Sequence, residues 1–107
     1  MFTGHRGHYA AIMAKGLRFE WDPRKAQINK TKHGISFEEA SQVFGDRLAI
    51  TIPDPDHGST DELREITIGS TGKMRIAVVA HLTDDGSIRI ISARKADARE
   101  LARYNEG

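Results

Sequence analysis

Three stretches in the C-terminal half constrain the fold most: LREITIGS, MRIAVVAHLT and SIRIISAR. Each repeats its apolar residues with a period of two, the mark of a strand with one face in a core. Only STGK and DDG separate them. Connections that short cannot carry a crossover, so neighbouring strands must pair antiparallel. RLAITIP, with Leu48, Ile50 and Ile52 alternating and Pro53 at its end, reads as a fourth strand of the same meander.

The segments on either side set the rest of the architecture. LRFEW places Leu17, Phe19 and Trp21 on one face of a short strand. Asp22 and Pro23 then open a helix, since Asp caps an N-terminus and Pro is tolerated at the first helical position. That helix runs to His33 and ends at Gly34, a residue suited to a left-handed cap. Its apolar side holds only Ala26 and Ile28, which predicts a surface position. Ser36 and Glu39 form a capping-box pattern, with Ile35 and Ala40 as staple and Phe37, Ala40, Val43 and Phe44 as the helical stripe. The basic cluster Lys30, Lys32 and His33 therefore falls in the last turn of one helix, where positive charge suits the dipole. We read it as structural. The tail KADARELARYNEG is helical, with Ala98, Leu101 and Ala102 on one side. The expected fold is α+β: strand, two helices, four strands, helix, with an antiparallel sheet covered by helices on one face.

At 107 residues the chain is one domain by length. Residues 1–16 contain three glycines and two histidines and show no sustained period, so they are expected to be a flexible N-terminal extension of a domain spanning 17–107, with Met13 an alternative start. There are no cysteines, which excludes disulfides, thiolate–zinc sites and thiol nucleophiles and fits the cytoplasm. No apolar run approaches a membrane span, and the N-terminus, lacking a continuous apolar core and a small-residue cleavage site, does not read as a secretion signal. Net charge is +1, but its distribution is uneven: residues 1–34 carry seven Lys/Arg against two acids, and residues 35–62 one against seven. Basic ends around an acidic middle can build a local positive surface.

If the even-numbered residues Ile66, Ile68, Met74, Ile76, Val78, Leu82, Ile88 and Ile90 face the helices, the odd positions face outward. Glu65, Arg75, His81 and Arg89 would then share the open face, with His81 opposite Arg89 across the DDG turn. A histidine beside two arginines is a plausible phosphate platform, and ordinary solvated charge is its equal alternative. No Gly-rich phosphate loop, GxSxG or HExxH is present. Asp54, Asp56, His57, Asp61 and Glu62 offer metal ligands but lack EF-hand spacing and read as a solvated acidic loop.

The stretches FEWDPRKAQINKTKHGISFEEASQVF, DPDHGSTDELREITIG and IRIISARKADARE resemble the BrnT family, toxins of type II toxin–antitoxin systems, from about Phe19 to Tyr104. The resemblance implies a RelE-like fold, a cytoplasmic ribonuclease that needs no metal or other cofactor, and RNA as substrate. It also implies a hetero-oligomer with a BrnA-type antitoxin. That antitoxin carries a ribbon-helix-helix DNA-binding domain, through which alone the complex reaches promoter DNA. By position, the family's E-x-R-x-x-x-x-G pattern falls on Glu62, Arg64 and Gly69. This makes Glu62 the candidate base and Arg64 the candidate phosphate clamp. His81 matches a late-strand histidine or tyrosine able to act as acid or base, and Arg94 is the arginine of the SAR segment. Arg89, Arg75 and His57 complete the candidates, as substrate-binding residues. The chain departs from the family where Leu82, Thr83, Asp84 and Asp85 replace an expected arginine after His81, and where Glu65 and Arg75 stand at apolar places. Two other classes of function compete with the ribonuclease: a non-catalytic co-repressor that binds antitoxin, and a free-standing RNA-binding module.

Overall fold

The computed structural model describes residues 10–14, 16–55, 64–84 and 86–107. Strands β1 (Ala10–Ala14) and β2 (Leu17–Trp21) precede helices α1 (Pro23–His33) and α2 (Phe37–Ser41), the latter continued by a 3₁₀ turn over Gln42–Gly45. Strands β3 (Ile50–Pro53), β4 (Arg64–Ser70), β5 (Ile76–Asp84) and β6 (Ser87–Lys95) follow, and α3 (Ala98–Glu106) closes the chain. The six strands form one sheet in the order β1-β2-β6-β5-β4-β3.

The meander β3–β6 is antiparallel throughout, as its short turns require. The sheet as a whole is mixed, because β2 runs parallel to β6. That pairing is available to β2 because the two helices and three other strands lie between it and β6 in sequence. Within the stretch read as an N-terminal extension, Ala10–Ala14 is a strand antiparallel to β2. AAIMA is apolar at every position, so it carries no period-two signal, yet its backbone pairs the edge that β2 would otherwise expose.

The helix boundaries follow the capping chemistry. Asp22 accepts a hydrogen bond from the Arg24 N–H at 2.8 Å, and Gly34 adopts φ 74°, donating its N–H to Lys30 O at 2.8 Å. Ser36 Oγ accepts from Glu39 N–H at 3.0 Å. The reciprocal half of that capping box is absent, because the Glu39 carboxylate turns inward to Thr71 and Arg75. α1 is also better anchored than its thin apolar side suggests. Asn29 is buried, donates to Ile35 O (3.0 Å) and Ala93 O (2.8 Å), and accepts from Ala93 N–H (3.0 Å). One amide thus ties α1 to β6 at both its donor and acceptor ends.

Two apolar clusters occupy the two faces of the sheet. The larger joins Phe19, Trp21, Ile35, Phe37, Ala40 and Val43 to Ala77, Val79, Ile88, Ile90 and Ala93. The second joins Ile66, Ile68 and Val78, with Ile52, Ile76, Ala80, Ala96 and Tyr104 of α3 packed against them. The expected facing is therefore reversed on β4 and β5: α1 and α2 cover the odd positions, where the small Ala77 and Val79 admit Phe37 and Val43. On β6 the faces change partway. Ala80 pairs with Ser92 but His81 with Ile90, a bulge that leaves Ile91 opposite no residue. Ile88 and Ile90 on one side of it and Ala93 on the other consequently share the helix-covered face. The register leaving the turn, with Asp84 opposite Ser87, also replaces the expected pairing of His81 with Arg89, which faces Leu82 instead. Leu48, read as part of a strand, lies in a turn and is exposed.

Candidate active-site groove

The register of the sheet gathers basic side chains on the face opposite α1 and α2. Paired positions point the same way, so Arg64, Leu82 and Arg89 form one row across β4, β5 and β6. Strand spacing puts the Arg64 and Arg89 backbones about 10 Å apart. Ile66, Ala80 and Ser92 form the next row, and Ile68, Val78 and Arg94 the one after. Arg64 and Arg94 are thus about 13 Å apart along the strands, measured by the rise per residue.

A groove of about 480 Å³ runs between this surface and α3. Its floor is Ile66, Ile68, Val78, Ala80 and Ser92; one end carries Asp54, Pro55 and Arg64, and the α3 wall carries Asp97, Arg99, Glu100 and Arg103 beside Arg94. Apolar walls with a few convergent polar groups are the usual build of a binding site. Asp97 and Glu100 form a complete capping box at the start of α3. Glu100 also receives both terminal nitrogens of Arg94, at 2.7 and 2.8 Å. The Arg94 hydrogen bonds, opposed by burial and helped by the Asp97 N–H, hold the Glu100 carboxyl below its ordinary range. Arg94 is in this way oriented over the groove by the first turn of α3.

His81 lies elsewhere. It is 2% exposed on the α1/α2 side, with its ring edge-on to Phe44 at 4.9 Å between centroids. Nε2 bonds Thr67 Oγ1 at 2.8 Å, Nδ1 meets Thr83 Oγ1 at 3.3 Å, and Thr67 continues to Thr51 at 2.7 Å. Burial pushes its pKa down to about 4, so the ring is neutral at pH 7. Arg75 lies at the opposite end of β5 from the Arg64 row. Its Nε donates to Glu39 at 2.9 Å, its Nη2 pairs with the same carboxylate, and that nitrogen also donates to Gly34 O at 3.1 Å. It fastens the α1–α2 junction to the start of β5. Arg89 is partly buried, which lowers its pKa, although a guanidinium stays protonated. His57 and Glu62 lie outside the described residues. Of the seven residues expected from sequence, then, the structure brings Arg64 and Arg94 into one groove, places Arg89 on the same face, and sets His81 and Arg75 apart from it.

Sequence comparison matches residues 21–100 to the family described as "Ribonuclease toxin, BrnT, of type II toxin-antitoxin system". The chain belongs to the BrnT family. Its fold also matches the crystal structure of the Brucella abortus ribonuclease toxin BrnT, with a TM-score of 0.56 and 25% sequence identity over 72% of this chain and 92% of that one. No curated protein matches it in sequence. As a BrnT-family member it is a ribonuclease toxin of the type II toxin–antitoxin kind, with the RelE-like α+β fold.

The BrnT match covers the whole floor of the groove and ends at Glu100, the residue that holds Arg94. Gly69, the last residue of the E-x-R-x-x-x-x-G pattern, serves packing: a Cβ there would lie 3.0 Å from Val43 Cβ and 3.1 Å from Ala49 Cβ. Reading the sequence did not single out the α3 wall. Its signal was the four-residue spacing of Arg99 and Arg103, which puts both on one helix face. Among the described residues no three His, Cys, Asp or Glu side chains converge to hold a metal ion. No helix among them is long and apolar enough to cross a membrane.

Proposed function

We propose that this BrnT-family chain cleaves RNA without a metal, in the groove between the β4–β6 surface and α3. The observation that carries the reading is that Arg64 and Arg94 line one groove, with Arg89 on the same face. In the reaction the RNA 2′-oxygen attacks the adjacent phosphorus and the bond from phosphorus to the 5′-oxygen breaks. A 2′,3′-cyclic phosphate and a 5′-hydroxyl result. Arg64 and Arg94 hold the non-bridging oxygens and stabilise the charge of the phosphorane, where fixed cations in a partly desolvated site act most strongly. Glu62, two residues before Arg64, takes the 2′-hydroxyl proton, and solvent protonates the departing 5′-oxygen. His81 is the core histidine of the α1/α2 face and has no part in the transfer.

A BrnA-type antitoxin with a ribbon-helix-helix domain neutralises the toxin in the cytoplasm, and the pair binds promoter DNA through that domain. The family resemblance supports this assignment. One observation favours the alternative of a non-catalytic co-repressor: Glu100 occupies the Arg94 guanidinium with two hydrogen bonds. The two readings part on end-labelled RNA incubated with antitoxin-free protein in excess EDTA. Fragments ending in a 2′,3′-cyclic phosphate are expected. RNA left intact, both free and in a translating extract, selects the co-repressor.

A further inference from the structure

We propose that Arg99 and Arg103 of α3 form a second phosphate-binding site, which tracks the RNA backbone beside the cleavage centre. The proposal rests on the reading of the groove as the RNA site and adds to it the path of the strand. Both arginines line the groove and both are exposed. Neither has a hydrogen-bond or ion-pair partner among the described residues, in contrast to Arg94 on Glu100 and Arg75 on Glu39.

The two acids of the first turn are already committed, and Glu106, which borders both arginines near the end of α3, pairs with neither. Glu100 serves Arg94 and the Asp97 N–H, while Asp97 accepts the Glu100 N–H at 2.8 Å. The positive charge of Arg99 and Arg103 therefore stands uncompensated by the capping acids. Four residues of α-helix advance about 6 Å, on the order of the spacing between successive phosphates of one strand. The two guanidiniums can then take neighbouring phosphates, and arginine suits each because it presents paired donors to phosphate oxygens. The groove of about 480 Å³ runs beside both arginines, and a positively charged groove that tracks the backbone is the usual build of a single-strand site. Contacts of this kind position the backbone and carry affinity without reading sequence.

The test uses the full chain and a mixed-sequence 2′-O-methyl RNA oligonucleotide, which cannot be cleaved because its 2′-oxygen is blocked. Binding by fluorescence anisotropy across a KCl series gives the slope of log affinity against log salt. The Arg99→Gln/Arg103→Gln double variant is expected to flatten that slope by about 1.4, two single-strand phosphate contacts at about 0.7 each. Its kcat on cleavable RNA at saturation should stay within about twofold of the parent, and Arg99→Lys/Arg103→Lys should restore most of the slope. An unchanged slope in a folded variant overturns the proposal, whether or not antitoxin binding weakens. So does loss of kcat at saturation with the slope retained, which would move these residues into the chemistry. If the parent binds the oligonucleotide but cleaves no RNA, the cleavage reading fails and the slope alone decides this one. If the parent does not bind it, this proposal fails.

Discussion

Buried His81 makes stability depend on pH in a window where the carboxylates contribute little. Its pKa falls from the ordinary 6.5 to about 4 because the ring is buried. The unfolded chain therefore binds a proton that the folded chain refuses between those values, and stability rises with pH across that interval. The contribution is complete above pH 6.5 and lost progressively as pH falls toward 4. At about 1.4 kcal/mol for each tenfold difference in proton affinity, the loss between pH 7.5 and pH 5 is about 2 kcal/mol. Glu39, Asp46 and Glu100 act lower down. Arg75 chiefly depresses Glu39 and Arg94 chiefly depresses Glu100; for Asp46, burial pulls upward but hydrogen bonds from Tyr104, Ser70 and Leu48 prevail. Their contributions, present above the ordinary carboxylate values, disappear only as pH drops below about 4.5. Urea unfolding at pH 5, 6, 7 and 7.5 measures the effect, with His81→Asn as the comparison that keeps a polar side chain beside Thr67 but cannot titrate. The native chain should lose about 2 kcal/mol over that range and the variant far less. Equal pH dependence in the two proteins would refute the assignment of His81 to the core.

Three further substitutions probe how the groove is supported. Asn29→Ala strips hydrogen bonds from both backbone groups of Ala93 and from Ile35 O, and should cost at least about 2 kcal/mol in urea unfolding. Gly69→Ala drives a Cβ against Val43 and Ala49, so a loss of about 1–3 kcal/mol is expected from overpacking, read by the same method. Arg75→Ala leaves the buried Glu39 carboxylate with only the exposed Lys73 ammonium, 4.0 Å away, as its cation. It should lower the melting temperature while leaving RNA cleavage by the folded fraction unchanged, and a selective loss of cleavage would place Arg75 in the site.

Much of the fold is legible in the sequence because it rests on local rules. The turns STGK and DDG dictate the meander, and Asp22, Gly34 and Ser36 mark helix ends by their own backbone chemistry. What fails is long-range. Both faces of β4 and β5 are apolar, so alternation alone cannot say which one α1 and α2 cover. The Ala80/His81 bulge then exchanges the faces of β6 without a glycine or proline to announce it. His81 is hidden because α1 and α2 cover the odd face of β5, and the pairing of Asp84 with Ser87 sets Arg89 opposite Leu82. Arg64 and Arg94 came from the family resemblance, and the parity that placed them under the helices was reversed. β1 left no periodic trace, and Asn29 looked like any polar residue on a surface helix. The arginines of α3 carried a readable spacing, but only the tertiary fold lays that helix along the groove.

The central claim is that the arginine groove, and not the His81 face, carries the chemistry. The most direct measurement is single-turnover cleavage of end-labelled RNA in excess EDTA by the native chain, Arg64→Ala, Arg94→Ala and His81→Asn, each first checked for folding by circular dichroism. Both arginine variants should fall by at least about a hundredfold, as removal of one fixed donor to a developing oxyanion does elsewhere, with His81→Asn close to native. Cleavage abolished by His81→Asn and retained by Arg64→Ala would contradict the account.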